Sequence, residues 1–245
     1  MLRFTDRVVA TLAYLRLGVS HEALAVAFGV DRSTVTRAIG QIRPLLADRG
    51  CAVATGVRLR TLADVFVYAA AEGVTLRIDA TEIRVRRPRS GRGGRKAFVS
   101  GKAKQNTIKT TVVSDERGAI LWCGAHRPGR VHDATAVRIE GTDMLLRHHP
   151  TVHVLVDASY PGLARDHPNQ LTAPPAKLRP GAWPEFQARY EQERKAQSSQ
   201  RIAVEHTIAK LKWWRPLQRY TGRRELLPET IDAIAGIISD RIHTW

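Results

Sequence analysis

Apolar positions along residues 4–50 recur at helical spacing in three short stretches, FTDRVVATLAYLRLG, SHEALAVAFGV and DRSTVTRAIGQIRPLL, separated by brief turns. Ser20 and Asp31 stand where helix N-caps belong, and Gly29-Val30 supplies the tight turn between the second and third stretches. Helix, tight turn and helix in that order predict a helix-turn-helix unit over residues 1–50. In its third helix Val35, Ile39 and Ile42 face inward, while Arg32, Ser33, Thr34 and Arg37 face outward. A purely structural bundle has the same outline. Small hydrogen-bonding side chains beside arginines are nonetheless the set that suits base edges and phosphates.

The period then changes. Residues 51–73 read as a connector with one helix around LRTLADVFVYAAAEG. Beyond Gly73, the β-branched, alternating stretches VTLRIDATEIRV (74–85), KQNTIKTTVVSD (104–115) and GAILWCGAHR (118–127) predict strands, the last two paired around Asp115-Glu116-Arg117-Gly118. A helical stretch, DATAVRIEGTDMLLRHH, follows, and VHVLVDASY (152–160) predicts a buried strand. Proline-rich sequence between 171 and 184, within an insertion spanning about 163–184, predicts irregular chain before a long helix. Strands, helix, strand and long helix describe an α/β domain over 74–245, with a mixed sheet and flanking helices, preceded by the small all-α unit.

Charge narrows the class of partner. The 245 residues carry a net charge of +16 with 43% hydrophobic content, so a core is affordable while the surface favours a polyanion, with nucleic acid first. There is no apolar run of about 18 residues and no signal-peptide pattern, which predicts a soluble cytoplasmic protein associated with the nucleoid rather than a membrane. Cys51 and Cys123 lie far apart without metal-ligand spacing and are expected to be reduced and buried, or merely tolerated. Residues 84–104 hold nine Lys or Arg and no acid, Lys102 and Lys104 among them. That composition fits a solvated basic loop or an arm tracking phosphates. It is no nucleotide loop, since Ala103 stands where Ser or Thr must follow Gly-Lys.

One strip departs from this pattern of charge. RIAVEHTIAKLKWWRPLQRY, residues 201–220, is helical in period and sets a single acid, Glu205, among Arg201, Lys210, Lys212, Arg215 and Arg219. At about 100° per residue Arg201, Glu205 and Lys212 share one face. An i,i+4 Arg–Glu pair on a solvated surface accounts for part of this, but one carboxylate cannot neutralise five bases. Two further acids sit in apolar strand settings, Asp79 in LRIDATE and Asp157 in HVLVDASYPG, where desolvation costs several kcal/mol unless a partner or cation is present. Three carboxylates are the oxygen ligand supply that a pair of Mg²⁺ or Mn²⁺ ions needs. Arg201 and Lys212 would then hold DNA phosphates beside them. Other features have simpler readings: Asp133 in His132-Asp133 as a helix N-cap, and Trp213 and Trp214 as core closure or, for one of them, a stacking surface for an unpaired base.

In this order, the helix-turn-helix, Asp79 in a first strand, SGK before a hairpin, PGRVHDATAVR, DASYPG and RIAVEHTIAKLK resemble the DDE transposases of bacterial insertion sequences related to the PIF/Harbinger group. The resemblance spans residues 4–220. It implies a ribonuclease-H-like catalytic domain, double-stranded DNA as partner, action as a homodimer on DNA, and Asp79, Asp157 and Glu205 as the metal-holding catalytic triad. Arg201, three residues, Glu205, six residues and Lys212 is similar to the signature around the catalytic glutamate of such enzymes. The chain departs from the family pattern at Ala80, at Ala158-Ser159-Tyr160 and at Ser198.

Overall fold

The computed structural model describes residues 2–87, 94–181 and 183–243. Its first three helices are α1 (Phe4–Leu17), α2 (His21–Phe28) and α3 (Arg32–Asp48). The α2–α3 turn is made as the sequence predicts. Ser20 caps α2 by accepting the Ala23 N–H at 3.2 Å, and Gly29 takes the left-handed φ of 61° that ends the helix. Asp31 occupies the N-cap position of α3, but its side chain makes no capping bond. Val35, Ile39 and Ile42 are buried, whereas Arg32, Ser33 and Arg37 are exposed and Thr34 is half-buried.

A short hairpin, β1 (Cys51–Ala52) with β2 (Arg58–Leu59), leads to α4 (Leu62–Glu72), capped by Thr61. Helix α4 is part of the sheet's core rather than a tether: Leu62, Val65, Phe66 and Ala69 pack with Leu76, Ile78, Val113 and Leu121. The central strand is β3 (Leu76–Val85), followed by β4 (Thr107–Ser114) and β5 (Ile120–Pro128). These three are antiparallel, and β4 and β5 join where Gly118, at φ 75°, closes the expected turn onto the Asp115 carbonyl. The predicted helical stretch after them divides at Gly141, whose φ of 82° separates α5 (Asp133–Ile139) from α6 (Thr142–His148). Next come β6 (Val154–Leu155), α7 (Pro161–Asp166), β7 (Leu171–Thr172), the long α8 (Pro184–Lys212), α9 (Arg215–Gln218), β8 (Arg219–Tyr220) and α10 (Leu227–His243).

The sheet order is β5-β4-β3-β6-β7, with β6 and β7 parallel to β3. Three antiparallel strands continued by two parallel ones, with helices on both faces, form the ribonuclease-H-like mixed sheet. Its second edge is unusual in one respect that matters for the site. β6 pairs with β3 only at residues 76 and 77, and β8 only at 84 and 85, so the edge of β3 between them is open to α8.

Helix α10 was not foreseen, although Ile231, Ile234 and Ile238 recur at helical spacing. It joins the two parts of the chain. Ile231, Ala233, Ile234 and Ala235 share a core with Leu15 of α1, Ile83 of β3, Ile120 of β5 and Leu211 of α8. Arg43 of α3 pairs with Glu229, the Ala52 N–H donates to Ser239 Oγ at 2.8 Å, and Gly236 lies so close to the Gly50 carbonyl that a Cβ there would stand 3.0 Å from it. Cys51 and Cys123 are buried and free in this core, where burial pushes the Cys51 thiol up to about 12.

Candidate active site

Asp79 and Asp157 come together because the strands carrying them are adjacent and parallel. Leu76 pairs with Val154 and Arg77 with Leu155, so two residues further on Asp79 and Asp157 are level. Asp79 lies on the open edge of β3, and Asp157 lies just past the end of β6. The C-terminal end of parallel strands is where an α/β sheet offers a crevice.

The two carboxylates are held differently. Asp79, with a 16% exposed side chain, accepts the Ala80 N–H at 2.7 Å and an Arg201 guanidinium N–H at 3.1 Å. Burial nevertheless pushes its carboxyl up to about 6, against the pull of the Ala80 amide and Arg201, and Asp157 and Asp133 add to the rise. Asp157 accepts the Ser159 N–H at 2.7 Å and the Ser159 hydroxyl, a local turn that fixes its direction. Ser159, one of the departures from the family pattern, thus has a structural task. Behind them the Tyr160 hydroxyl and Arg201 Nε are buried without a hydrogen-bond partner.

Helix α8 is tied across this crevice by three bonds reaching both strands. Besides Arg201–Asp79, Arg77 Nε donates to the Gln200 carbonyl at 2.7 Å, and Gln197 donates to the Val156 carbonyl at 3.0 Å, next to Asp157. Glu205 follows Arg201 by one turn, about 6 Å along the axis, and is exposed. The arginine, not the glutamate, faces Asp79. Among the described residues no three His, Cys, Asp or Glu side chains converge as a metal-holding group.

The basic residues expected on this face separate. Arg201 is committed to Asp79. Lys212 is turned inward: its ammonium donates to the Glu82 carbonyl at 2.5 Å and the Leu217 carbonyl at 3.1 Å, and burial lowers its pKa to about 8. It clamps the end of α8 to β3, a setting that removes it from the solvent face where a phosphate would lie. Arg215 is exposed, bonds Gln218 at 3.1 Å, and packs against Gly18 at the end of α1. Lys102 and Lys104 are exposed on a turn fastened by Ser100, whose hydroxyl accepts the Lys102 and Ala103 N–H groups and donates to Glu82 at 2.9 Å. Residues 88–93 of the basic stretch, with most of SGRGG, lie outside the described residues.

Asp133 is not the helix N-cap that its sequence suggests. His132 is the N-cap of α5 and Asp133 its first helical residue, with Oδ1 2.5 Å from the Lys109 ammonium. Lys109 also donates to the Val131 carbonyl at 2.8 Å and stands 3.9 Å from Glu82. The available signal was Lys109 itself. A lysine in the alternating stretch TIKTTVV points into the core and requires a carboxylate there.

On α3, Arg32 pairs with Glu22 at 2.7 Å on the surface, and Arg37 reaches Thr34 Oγ1 at 3.4 Å. Thr36 bonds His21 of α2 at 2.9 Å, fixing the two helices against each other.

A family model described as DDE superfamily endonuclease matches residues 78–239, and one described as helix-turn-helix of DDE superfamily endonuclease matches residues 2–52. The chain is 26% identical over 234 residues to a probable transposase for insertion sequence element IS702 of Microchaete diplosiphon, covering 95% of this chain and 78% of that one. Among solved structures, a pre-cleavage Mos1 transpososome matches at 13% identity and TM-score 0.22, covering 97% of this chain and 79% of that chain. A Mos1 mariner paired end complex with Mn matches at 8% identity and TM-score 0.22, covering 85% and 78%. A TM-score of 0.22 is too low for either to bear on this fold. The match over 78–239 begins one residue before Asp79 and takes in Asp157, Glu205 and all of the large sheet but the first two residues of β3, so the chain belongs to the DDE superfamily endonucleases, with that superfamily's helix-turn-helix at residues 2–52.

Proposed function

We propose that this protein is a transposase of an insertion sequence, of the PIF/Harbinger-related kind. In this reading α3 engages the element's end as double-stranded DNA through Arg32, Ser33, Thr34 and Arg37, and the sheet's carboxylates direct phosphodiester cleavage and strand transfer. The observation that supports it best is the level placement of Asp79 and Asp157 at the open edge of β3, beneath the helix that carries Glu205.

The donor set fits a hard divalent cation. It is all oxygen, which suits Mg²⁺ or Mn²⁺, and burial, which raises Asp79's carboxyl, leaves a desolvated carboxylate that a cation would stabilise. Asp79, Asp157 and Glu205 would hold two such ions, which when bound supply Lewis acidity at the scissile phosphodiester. Arg201 supplies positive charge at Asp79 and, in this reading, would also be within a residue's reach of a DNA phosphate at this edge. Ser159 keeps Asp157 aimed, and Gln197 and Arg77 keep α8 seated on the strands. Water or a DNA 3′-hydroxyl is the nucleophile. Lys102, Lys104 and Arg215 track the backbone, and two copies of the chain act together on two ends in the cytoplasm, at the nucleoid. No helix among the described residues is long and apolar enough to cross a membrane.

One observation favours a second reading, a DNA-binding regulator without turnover: Arg201 rather than Glu205 faces Asp79, and three acids do not converge among the described residues. Incubating the protein with end-labelled duplex carrying the element's terminus and Mg²⁺ or Mn²⁺ separates the two. Strand scission that disappears in Asp79→Asn is the expected result. Tight binding with no scission under either metal would establish the regulator instead.

A further inference from the structure

At the far end of α8 the two tryptophans part. Trp214 is buried, 5% exposed, while Trp213 next to it is 63% exposed. Together they line a recess of about 210 Å³ with Arg16 of α1, Lys210 of α8, and Ile238 and Arg241 of α10. No carboxylate is among these lining residues. Arg16 stands 5.6 Å over the Trp214 ring and donates to the Trp213 carbonyl at 2.5 Å, which fixes the backbone from which the exposed indole projects. A free aromatic face framed by cations is the combination that binds single-stranded nucleic acid: the indole stacks on a base and the cations meet its phosphates.

Its position is equally telling. Trp213 follows Glu205 by eight residues, about 12 Å along the helix axis, within the reach of a nucleotide or two. Its walls come from α1, in the helix-turn-helix part, and from α8 and α10, in the catalytic part.

We infer that this recess is a pocket for an unpaired nucleobase of single-stranded DNA, with Trp213 as the stacking platform and Arg16, Lys210 and Arg241 as phosphate contacts. The inference rests on DNA being the ligand of this protein and not on its cleavage chemistry. Occupation of the pocket requires α1 and α8 to meet the same strand, which links end recognition to the strand-cutting helix.

The test uses the full chain without added metal, so that a failure of catalysis leaves it unaffected. Binding of a short dye-labelled oligothymidylate, of the same strand made abasic at every position, and of a duplex is followed by fluorescence anisotropy. Trp213→Ala is expected to weaken the oligothymidylate by about 5- to 150-fold, the range for removing one base stack, and to leave the abasic strand and the duplex within twofold. Trp213→Phe should restore most of the binding. Lys210→Gln should lower the salt dependence of single-strand binding by about 0.7 in log–log slope, one phosphate's share. Since Trp213 is mostly exposed, its variants keep the wild-type melting temperature. Weakening of less than twofold for the oligothymidylate, or equal weakening on base-bearing and abasic strands, would overturn the pocket.

Discussion

Helix α3 and strand β3 both carry residues assigned to DNA chemistry, yet they hold them in opposite ways. On α3, Arg32, Ser33 and Arg37 stand in solvent above a buried face of Val35, Ile39 and Ile42, so the fold and the function use different sides of one element. On β3 the two uses collide. Asp79 sits on the unpaired stretch of β3, its side chain only 16% exposed, with its carboxyl displaced to about 6. The outer face of α3 can therefore change at little expense to stability, whereas β3 holds a group that the fold tolerates rather than favours.

The largest effect that tests this contrast is on cleavage. Asp79→Asn, Asp157→Asn and Glu205→Gln should each lower metal-dependent scission by about 10³-fold or more, since several kcal/mol of transition-state stabilisation depends on the carboxylates, while DNA affinity stays near wild type. A variant that cuts normally in a single-turnover assay would remove its residue from the site; for Glu205, which faces solvent here, this is the most demanding check.

Next in size is recognition. Arg32→Ala with Arg37→Ala should cost about 1–3 kcal/mol of affinity for the cognate end for each base-edge hydrogen-bond pair removed, and less on random duplex. Melting should change by no more than about 0.5 kcal/mol. Equal weakening on both DNAs in a gel-shift titration would reduce α3 to a general source of charge.

The third prediction runs against the usual sign. Asp79→Asn should stabilise the protein by about 1–3 kcal/mol at pH 7, less whatever Arg201 forfeits with its partner. Because the folded-state pKa is raised, the folded protein takes up the proton first as pH falls. The ionised carboxylate's penalty is thus full above about 6 and is relieved by the time pH reaches the ordinary value of 3.8. Denaturant melts of both proteins across that interval should converge toward the acid end. A difference independent of pH would mean that Asp79 is not strained by its setting.

The smallest effect separates the lysines. Lys212→Met should destabilise by about 1–3 kcal/mol, by leaving the Glu82 and Leu217 carbonyls without their donor, and leave the salt dependence of duplex binding alone. Lys102→Gln or Lys104→Gln should do the reverse, flattening the log–log slope by about 0.9 while melting is unchanged. A slope change in Lys212→Met would return that side chain to the DNA face.

What the sequence disclosed divides along the same line. The helix-turn-helix and the strands β3, β4 and β5 were legible because period, caps and turns are local signals, as with Ser20, Gly29 and the Asp115–Gly118 turn. That Asp79 in a strand and Asp157 just past one are set in apolar surroundings was legible, because an acid in an apolar run needs a reason. Their partners were not. Arg201 meets Asp79 across 122 positions and Lys212 meets the Glu82 carbonyl across 130, so helical angle alone grouped with Glu205 two cations that the tertiary fold uses elsewhere. The same holds for Lys109 and Asp133, and for α4, whose local pattern said helix but not which surface it covers. Helix α8 shows the limit most clearly: much of its N-terminal half is exposed on all sides, which erases the periodicity that would reveal its length.

Helix α10 carries a consequence of a different kind. By sharing one core with α1, β3, β5 and α8, and by pinning α3 through Arg43 and Glu229, it ties the second helix of the helix-turn-helix to the sheet. In the proposed enzyme the span from α3 to Asp79 is then a caliper set at folding, and the place where a strand is cut follows from that fixed opening, measured off from whatever sequence the recognition helix has gripped.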